Sequence, residues 1–222
     1  MRQPVFCSAV EKTYENGVHA LSGVSLQVEA GQLVALLGPS GCGKSTLLNL
    51  VGCIDLPTAG IVEIDGVATS SLDDDELTAL RRDRIGTVFQ FFNLLPTLNI
   101  RDNVALPLVL QRRPAREIQD RVDAALDSVG IKDKADALPS QISGGQLQRA
   151  AIARAIVHEP AIVLADEPTG NLDTRNGEMV LEILQSLANR GQAILMATHS
   201  ADAAARAGIR INMRDGRIES VT

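Results

Sequence analysis

The alternation of hydrophobic and polar positions along the first part of the chain predicts mainly strands. Apolar and polar residues alternate from Phe6 to Val28, and Asn16-Gly17 within that stretch is a typical hairpin turn. The continuous apolar run Leu33–Leu37 predicts a buried strand, and a helix is expected after the glycine-rich turn that follows it. The elements predicted here are strands within 6–28 and over 33–37, 61–67 and 85–89, and helices over 44–51 and 72–82.

The middle of the chain, residues 91–158, has the residue spacing of helices instead. Asn99 is a suitable N-cap for a short helix, and Pro107 is expected to stop that helix because proline lacks a backbone donor. Pro114 suits the first position of a longer helix whose apolar residues recur every three or four positions. Another helix is predicted over 145–157. These segments predict a helical subdomain inserted into a strand-rich remainder.

Strands and helices alternate again after residue 158, which favours a parallel sheet covered by helices. The predicted elements are strands over 162–165, 193–198 and 209–213, a helix over 174–188, and a closing hairpin around Asp215-Gly216. We therefore predict an α/β fold with one domain over 1–222. Residues 1–90 and 159–222 would form its strand-rich core, and 91–158 its helical subdomain.

Composition narrows the class of protein. The chain has 222 residues, of which 45% are hydrophobic and 22% charged, as in ordinary globular domains. It contains four Phe, one Tyr and no Trp, so a surface that stacks many bases is not expected. Its net charge of −6 argues against a broad polyanion-binding surface, so an anion site must be built locally. We accordingly expect no nucleic-acid partner.

The cysteines and the apolar runs indicate where in the cell the protein is expected. The three cysteines form no CxxC pair, and their odd number in a long chain favours a reducing compartment. No signal peptide opens the chain, and no apolar run reaches the roughly 18 residues needed to cross a membrane. We expect a soluble, cytoplasmic protein that would serve a membrane only through partners.

Residues 38–45 read GPSGCGKS, which matches the phosphate-binding pattern GxxxxGK[ST] between a predicted strand and a predicted helix. Backbone N–H groups of such a loop curl around phosphate oxygens, and the helix N-terminus adds its dipole. Lys44 would reach the β- and γ-phosphates, and the hydroxyl of Ser45 would bind Mg²⁺. Lys44 is also the only charged residue between Glu29 and Asp55, so the loop is locally cationic. The predicted nucleotide-binding residues of the loop are Gly38, Pro39, Ser40, Gly41, Cys42, Gly43, Lys44, Ser45 and Thr46.

The run IVLADEP at 162–168 predicts a buried strand that ends in two acids. The carboxyl ends of parallel strands form the edge where open α/β sheets bind ligands. Asp166 is suited to hold Mg²⁺, and Glu167 is suited to polarise an attacking water. A solvated acidic pair at a strand end is the structural alternative, and the nearby phosphate loop favours the functional interpretation.

A third motif, SGGQ at 143–146, lies between the phosphate loop and the acid-ended strand, and Ser143 suits the N-cap of a helix there. Over essentially the whole chain the sequence resembles the ATP-binding cassette (ABC) ATPases. The resemblance implies a P-loop NTPase (RecA-like) parallel sheet core with an N-terminal antiparallel β subdomain and an inserted helical subdomain. It also implies ATP hydrolysis and a homodimer on ATP binding, in which the helix start of one subunit faces the γ-phosphate held by the other. The residues implied to act in trans are Ser143, Gly144, Gly145, Gln146 and Asp173.

Four further roles are implied by this resemblance. Gln90 corresponds to a glutamine that touches Mg²⁺ and the attacking water, and His199 to a histidine that contacts the γ-phosphate. Asp173 would link the two sites of the dimer, and Tyr14 would stack on adenine. Each residue also has a structural alternative. Gln90 could be a surface glutamine and His199 a structural histidine. Asp173 could be a helix N-cap and Tyr14 an ordinary strand aromatic.

The segment 85–100 contains no charged residue and indicates a subgroup. Its run FQFFNLLPTL, followed by DNVALPL, resembles the ATPases of macrolide-exporter and lipoprotein-release type. Such proteins work with integral membrane permease subunits, which we expect to dock near Phe91, Phe92, Leu94 and Leu95 at the cytoplasmic face of the inner membrane. A core strand followed by a packed loop is the structural alternative.

Other functions remain open within and beyond this subgroup. A mechanical regulator of cell-wall enzymes, of cell-division type, and an amino-acid importer ATPase have similar motifs. A soluble ABC protein acting on DNA or ribosomes is disfavoured, because only 52 residues separate Gln90 from Ser143 and there is no excess of basic residues.

Overall fold

Two β-sheets and a helical segment make up the structure, a computed structural model that describes residues 3–222. The smaller sheet is four-stranded and antiparallel, with the strand order β2-β1-β4-β5. Its first two strands form the predicted hairpin, in which Val5 pairs with Val28 and Thr13 with His19. The bounds are β1 Val5–Thr13, β2 His19–Val28, β4 Ala59–Ile64 and β5 Val67–Ala68.

The larger sheet has six strands in the order β10-β9-β3-β8-β7-β6. Five of them run parallel, and only the edge strand β10 is antiparallel to its neighbour. The central strands β3, β8 and β7 are nearly continuous apolar runs because both faces of the sheet are covered there. The bounds are β3 Leu33–Leu37, β6 Ile85–Val88, β7 Ile162–Asp166, β8 Ala193–Ala197, β9 Ile209–Arg214 and β10 Arg217–Val221.

Helices that connect the strands flank the parallel sheet. They are α1 Lys44–Val51, α2 Asp74–Arg84, α6 Thr174–Asn189 and α7 Ala201–Arg206. The sequence pattern did not predict α7, because a six-residue, alanine-rich helix is too short to display a helical period. The side chain of Ser200 caps it by accepting a hydrogen bond from the Ala203 backbone N–H.

Three longer helices lie between β6 and β7, namely α3 Ile100–Leu110, α4 Ala115–Ser128 and α5 Gly144–Ile156. Asn99 caps α3 as predicted, accepting from the Asp102 N–H at 2.7 Å. The expectation that Pro107 stops this helix is wrong, because α3 continues to Leu110. Proline removes one backbone hydrogen bond, but complete burial of Val104 and Leu108 stabilises the helix on both sides of it. Single 3₁₀ turns cover Thr69–Ser71, Lys132–Lys134 and Pro139–Gln141.

The apolar core has two parts, one on each face of the parallel sheet. Leu33 and Ala35 of β3 pack toward the helices α3–α6, whereas Val34 and Leu36 pack toward α1 and the antiparallel sheet. The loop after β3 is therefore anchored from both sides. Within the described residues, no helix combines the length and the apolar character needed to cross a membrane.

Candidate active site at the carboxyl edge of the parallel sheet

The loop between β3 and α1 is built from glycines in conformations that other residues rarely adopt. Gly38, Gly41 and Gly43 have φ values of 145°, 81° and 106°. A Cβ atom on Gly38 would lie 2.2 Å from the carbonyl oxygen of Met213, so no larger residue fits there. These conformations curl the chain so that the start of α1 faces the concave side of the loop.

Lys44 and the first turn of α1 make this loop an anion site. The ammonium of Lys44 donates to the carbonyl oxygens of Gly38, at 2.7 Å, and Pro39, at 3.0 Å, so it lies across the loop. The first turn of α1 contains no acidic residue. Its N–H groups and dipole are thus directed at the loop, and no acidic side chain of the helix itself competes for them. The thiol of Cys42 is buried beneath, with Sγ 3.8 Å from the Lys44 nitrogen.

The acid-ended strand β7 comes to the same edge of the sheet. The hydroxyl of Ser45 donates to Oδ2 of Asp166 over 3.5 Å, which joins the loop to β7. Burial raises the pKa of Asp166, repulsion by Glu167 raises it further, and Ser45 and Lys44 act in the opposite direction. A half-buried carboxylate beside a hydroxyl is a suitable oxygen ligand pair for a hard cation.

Glu167 follows Asp166 and points toward the end of the neighbouring strand β8. It has a φ of 46°, a left-handed conformation that turns the chain out of β7. Its carboxylate accepts from Nδ1 of His199 at 2.7 Å and from the Thr198 hydroxyl at 3.3 Å. The Glu167 side chain is 17% exposed and that of His199 is 73% exposed. The histidine therefore covers the carboxylate on the solvent side.

Gln90 stands just beyond β6 and is joined to the loop after β7. The side-chain amide of Asn171 donates to the Gln90 carbonyl at 2.9 Å, and the Gln90 amide lies 3.5 Å from the Asn171 side-chain oxygen. A Cβ atom on Gly170 would lie 2.9 Å from the Gln90 amide nitrogen, so this loop packs closely on the glutamine. Gln90 is thereby held at the same edge of the sheet as Asp166 and Glu167.

Tyr14 lies in the turn between β1 and β2, close to the phosphate loop. Its hydroxyl is 3.5 Å from the hydroxyl of Thr46 in the first turn of α1. The ammonium of Lys12 is 5.1 Å from the centre of the ring, within the range of a cation–π contact. Tyr14 as a residue is 37% exposed, so part of its surface is open to a ligand.

The segment 143–146 forms a second helix start, away from the phosphate loop. Ser143 and Gln146 form a capping box, with the Gln146 side chain accepting from the Ser143 N–H at 2.9 Å. Gly145 allows this helix start to approach α6, because a Cβ atom there would lie 2.1 Å from the side-chain oxygen of Asn176. Within residues 3–222, no hydrogen bond joins 143–146 to the phosphate loop.

Asp173, the fifth residue predicted to act in trans, caps α6. It accepts from the Asn176 backbone N–H at 2.8 Å and from the Asn176 side-chain amide at 2.7 Å. These hydrogen bonds lower the pKa of Asp173. Within one subunit, Asp173 is therefore a helix N-cap. Its carboxylate lies at the surface, beside the start of α5.

Sequence reasoning missed three polar residues that hold the site together. Thr198 supports Glu167, Gln148 donates to backbone carbonyls beside the site, and Arg154 donates to the carbonyls of Phe92 and Asn93. Burial lowers the pKa of Arg154. The available signal was a polar side chain on an otherwise apolar helix or strand, which the family motifs do not single out.

A parallel sheet that brings a phosphate loop, a serine–aspartate pair and a glutamate–histidine pair to one edge defines a P-loop ATPase. Comparison with known families then identifies which family of P-loop ATPases this is. The model of the family described as "ABC transporter" matches residues 21–170. The chain belongs to this family, and it is an ABC ATPase domain.

Similar proteins in other organisms include exporters. The macrolide export ATP-binding/permease protein MacB of Neisseria meningitidis serogroup B is 47% identical over 208 residues, which are 94% of this chain and 32% of MacB. The chain thus spans about a third of the length of the macrolide exporters that it matches. The ABC transporter ATP-binding protein MJ0796 of Methanocaldococcus jannaschii is 46% identical over 219 residues, 95% of this chain and 93% of MJ0796.

Solved structures match the whole fold. The dimeric structure of the MJ0796 cassette superposes with a TM-score of 0.89 at 42% identity and covers 98% of this chain and 97% of its own. A dimeric post-hydrolysis state of MJ0796 bound to ADP and Pi superposes with a TM-score of 0.88, at the same identity and coverage. CbiO1 of Clostridium perfringens, part of the transporter complex CbiONQ, gives 0.92 at 30% identity and covers 100% of this chain and 88% of its own.

Proposed function

We propose that this chain is the ATP-hydrolysing subunit of an ABC transporter of export or lipoprotein-release type. It dimerises on ATP binding and drives a conformational change in membrane partner subunits. The observation that carries the proposal is the 47% identity to a macrolide export ATP-binding/permease protein over 94% of this chain. The resemblance of FQFFNLLPTL at 89–98 to the same subgroup supports it.

Nucleotide binding is assigned to the loop 38–46 and to Tyr14. Lys44 exchanges its carbonyl partners, 2.7 Å and 3.0 Å away, for the β- and γ-phosphate oxygens. Backbone N–H groups and the start of α1 share the remaining negative charge. The exposed part of the Tyr14 ring stacks on adenine.

Mg²⁺ fits the oxygen atoms at this edge. Among residues 3–222 there is no cluster of three or more His, Cys, Asp or Glu side chains that could hold a metal. Mg²⁺ needs no such cluster, since it keeps several waters and is bound through one or two carboxylates together with substrate phosphates. Ser45, Asp166 and Gln90 would hold the ion, and when bound it neutralises charge that develops on the phosphates.

Hydrolysis is assigned to the Glu167–His199 pair and Gln90. Glu167 accepts a proton from, or orients, the water that attacks the γ-phosphate in line. His199, 2.7 Å from Glu167, is suited to touch both that carboxylate and the γ-phosphate. Gln90 orients the same water from the side opposite Glu167.

Dimerisation completes the site. The start of α5, with Ser143, Gly144, Gly145 and Gln146, points its N–H groups at the γ-phosphate held by the second subunit. Asp173 lies beside that helix start and links the two sites. The dimeric structures of MJ0796, which is 42% identical, support the formation of a dimer.

Docking of the permease is assigned to the segment around Phe91, Phe92, Leu94 and Leu95, at the cytoplasmic face of the membrane. Phe91 is 72% exposed and Leu95 is 46% exposed, whereas the other two are half-buried. A groove of about 300 Å³ beside this segment is lined in part by Phe89, Pro107 and Leu110. An exposed apolar segment next to an apolar groove suits a helix of a membrane partner.

The test is to purify the Glu167→Gln variant from membranes in the presence of ATP. We expect integral membrane subunits of the exporter or release type to co-purify, because the variant keeps the ATP-bound dimer. A partner that acts on cell-wall enzymes would favour the mechanical alternative, and an amino-acid permease the importer. Loss of every membrane partner, with ATP still bound, would contradict the proposal.

A further inference from the structure

Gln148 is a buried polar residue for which the proposed mechanism has no role. It lies in the second turn of α5, within the helical segment, and its side chain is fully buried. The neighbouring residues of α5 that are buried are apolar or glycine. A buried amide costs free energy unless its groups are hydrogen-bonded, so its partners indicate what it does.

Both partners of Gln148 are backbone carbonyls next to residues of the proposed site. Its side-chain nitrogen donates to the carbonyl of Pro168 at 2.7 Å and to that of Phe89 at 3.4 Å. Pro168 directly follows Glu167, and Phe89 directly precedes Gln90. One side chain on α5 therefore reaches the chain at the ends of two different strands, β6 and β7.

The orientation of this amide is set by its surroundings. Two carbonyl oxygens require the NH₂ group, since a flipped amide would bring oxygen against oxygen. The other end, Oε1, is buried without a hydrogen-bond partner among the described residues. The amide thus forgoes one hydrogen bond while it bridges the two carbonyls, which an apolar side chain could not do.

We propose that Gln148 is a positioning residue for ATP hydrolysis, because it holds α5 to the backbone beside Gln90 and beside Glu167 at once. The inference rests on the roles proposed above for those two residues. A movement of α5, whose start faces the second subunit, is transmitted by this amide to both residues that act on the water. A displacement of about 1 Å at a reacting group can change a rate by about 10²-fold.

The test compares two variants in which a glutamine becomes methionine, which has similar length but no donor. Gln148→Met removes the bridge at the site. Gln192→Met is the matched control, because Gln192 donates to the carbonyls of Pro160 and Ala193, at 3.2 Å and 3.1 Å, at the opposite edge of the sheet. For each variant of the intact chain we would measure single-turnover hydrolysis, the Kd of a fluorescent ATP analogue and the Tm.

We expect Gln148→Met to slow hydrolysis at least about tenfold while the nucleotide Kd stays within about twofold of wild type. Gln192→Met, at a half-buried position, should lower the Tm and leave the hydrolysis rate within about twofold. If the role of Gln148 were purely structural, both variants would lower the Tm and keep the wild-type hydrolysis rate. If Gln148→Met does not fold, Gln148→Asn, whose amide is one methylene short of the carbonyls, should give the same split between rate and affinity.

Hydrolysis by Gln148→Met at the wild-type rate, with Glu167→Gln inactive in parallel, would overturn the role of Gln148 alone. An equal loss in Gln148→Met and Gln192→Met would overturn it as well. A fully active Glu167→Gln variant would contradict the proposed hydrolytic site instead, so the two failures are distinguishable.

Discussion

Alanine substitution at the two adjacent glycines of α5 should have opposite consequences for stability. In Gly145→Ala the new Cβ atom would lie 2.1 Å from the side-chain oxygen of Asn176, 2.5 Å from its Cγ and 2.9 Å from its Cβ. Rotation of Asn176 relieves the first two contacts, but the third requires α5 and α6 to separate slightly. Rotation also breaks the 2.7 Å hydrogen bond from the Asn176 amide to Asp173.

The size of the effect follows from these contacts. Loss of one hydrogen bond costs about 0.5–1.5 kcal/mol, and forcing an extra methyl group into a packed contact costs about 1–3 kcal/mol. The better helix propensity of alanine returns up to about 1 kcal/mol. We expect a net loss of about 0.5–4.5 kcal/mol, or about 1–18 °C in Tm for a domain of this size.

Gly144→Ala is the matched control. Its Cβ atom would lie 3.7 Å from Leu172 and 3.9 Å from Phe92, which is ordinary van der Waals contact. We expect its Tm to equal that of wild type or to rise slightly, because alanine favours the helix. Thermal unfolding of the three nucleotide-free proteins measures the difference. Equal Tm values for Gly145→Ala and Gly144→Ala would refute the close approach of α5 and α6.

Other measurements probe separate parts of the structure. Lys44→Ala should weaken ATP binding about 10- to 100-fold, since a hydrogen bond to a charged group contributes about 1.5–3 kcal/mol, and unchanged binding of a fluorescent analogue would contradict the loop assignment. Burial lowers the pKa of His158, so stability should fall as the pH drops below about 6.5, where the unfolded chain takes up a proton that the folded chain resists. His158→Gln should flatten the dependence of Tm on pH between about pH 7 and 5.5. An unaltered dependence would mean that other groups cause the loss of stability at low pH. Phe91→Asp should spare basal hydrolysis and abolish co-purification of the membrane partner, and a variant that still binds it would contradict docking there.

Phe91 is a sharper probe of docking than the neighbouring Phe92. Phe92 is half-buried, and its ring lies 3.9 Å from the position that a Cβ atom on Gly144 would take. Its backbone carbonyl also accepts from Arg154 at 2.8 Å. A charge at Phe92 would therefore disturb α5 as well as docking, whereas Phe91 projects into solvent.

Local patterns predicted the elements that carry the phosphate site. The strand Leu33–Leu37 and the helix Lys44–Val51 have the predicted bounds, because a continuous apolar run and a glycine-rich turn mark both ends. The helix around Pro107 was harder to predict, since burial of Val104 and Leu108 overrides the proline signal and depends on tertiary packing.

The arrangement of the site needed the structure. Sequence order does not give the strand order β10-β9-β3-β8-β7-β6, which brings Ser45 next to Asp166 although 120 residues lie between them. Motifs did single out Glu167 and His199, but not their hydrogen bond. For Gln148 the sequence offers only a polar residue among apolar neighbours, and it does not reveal the role, because the two carbonyl partners meet only when β6, β7 and α5 are assembled.

The most direct test of the proposed ATPase cycle is ATP hydrolysis and particle mass measured together for wild type and Glu167→Gln. We expect the variant to hydrolyse ATP at least about 10²-fold more slowly, the range for loss of a positioned base. Light scattering should give a stable dimer with ATP and Mg²⁺ and a monomer without nucleotide. Hydrolysis at the wild-type rate, or a variant that stays monomeric with ATP bound, would contradict the assignment of Glu167 and the shared site between subunits.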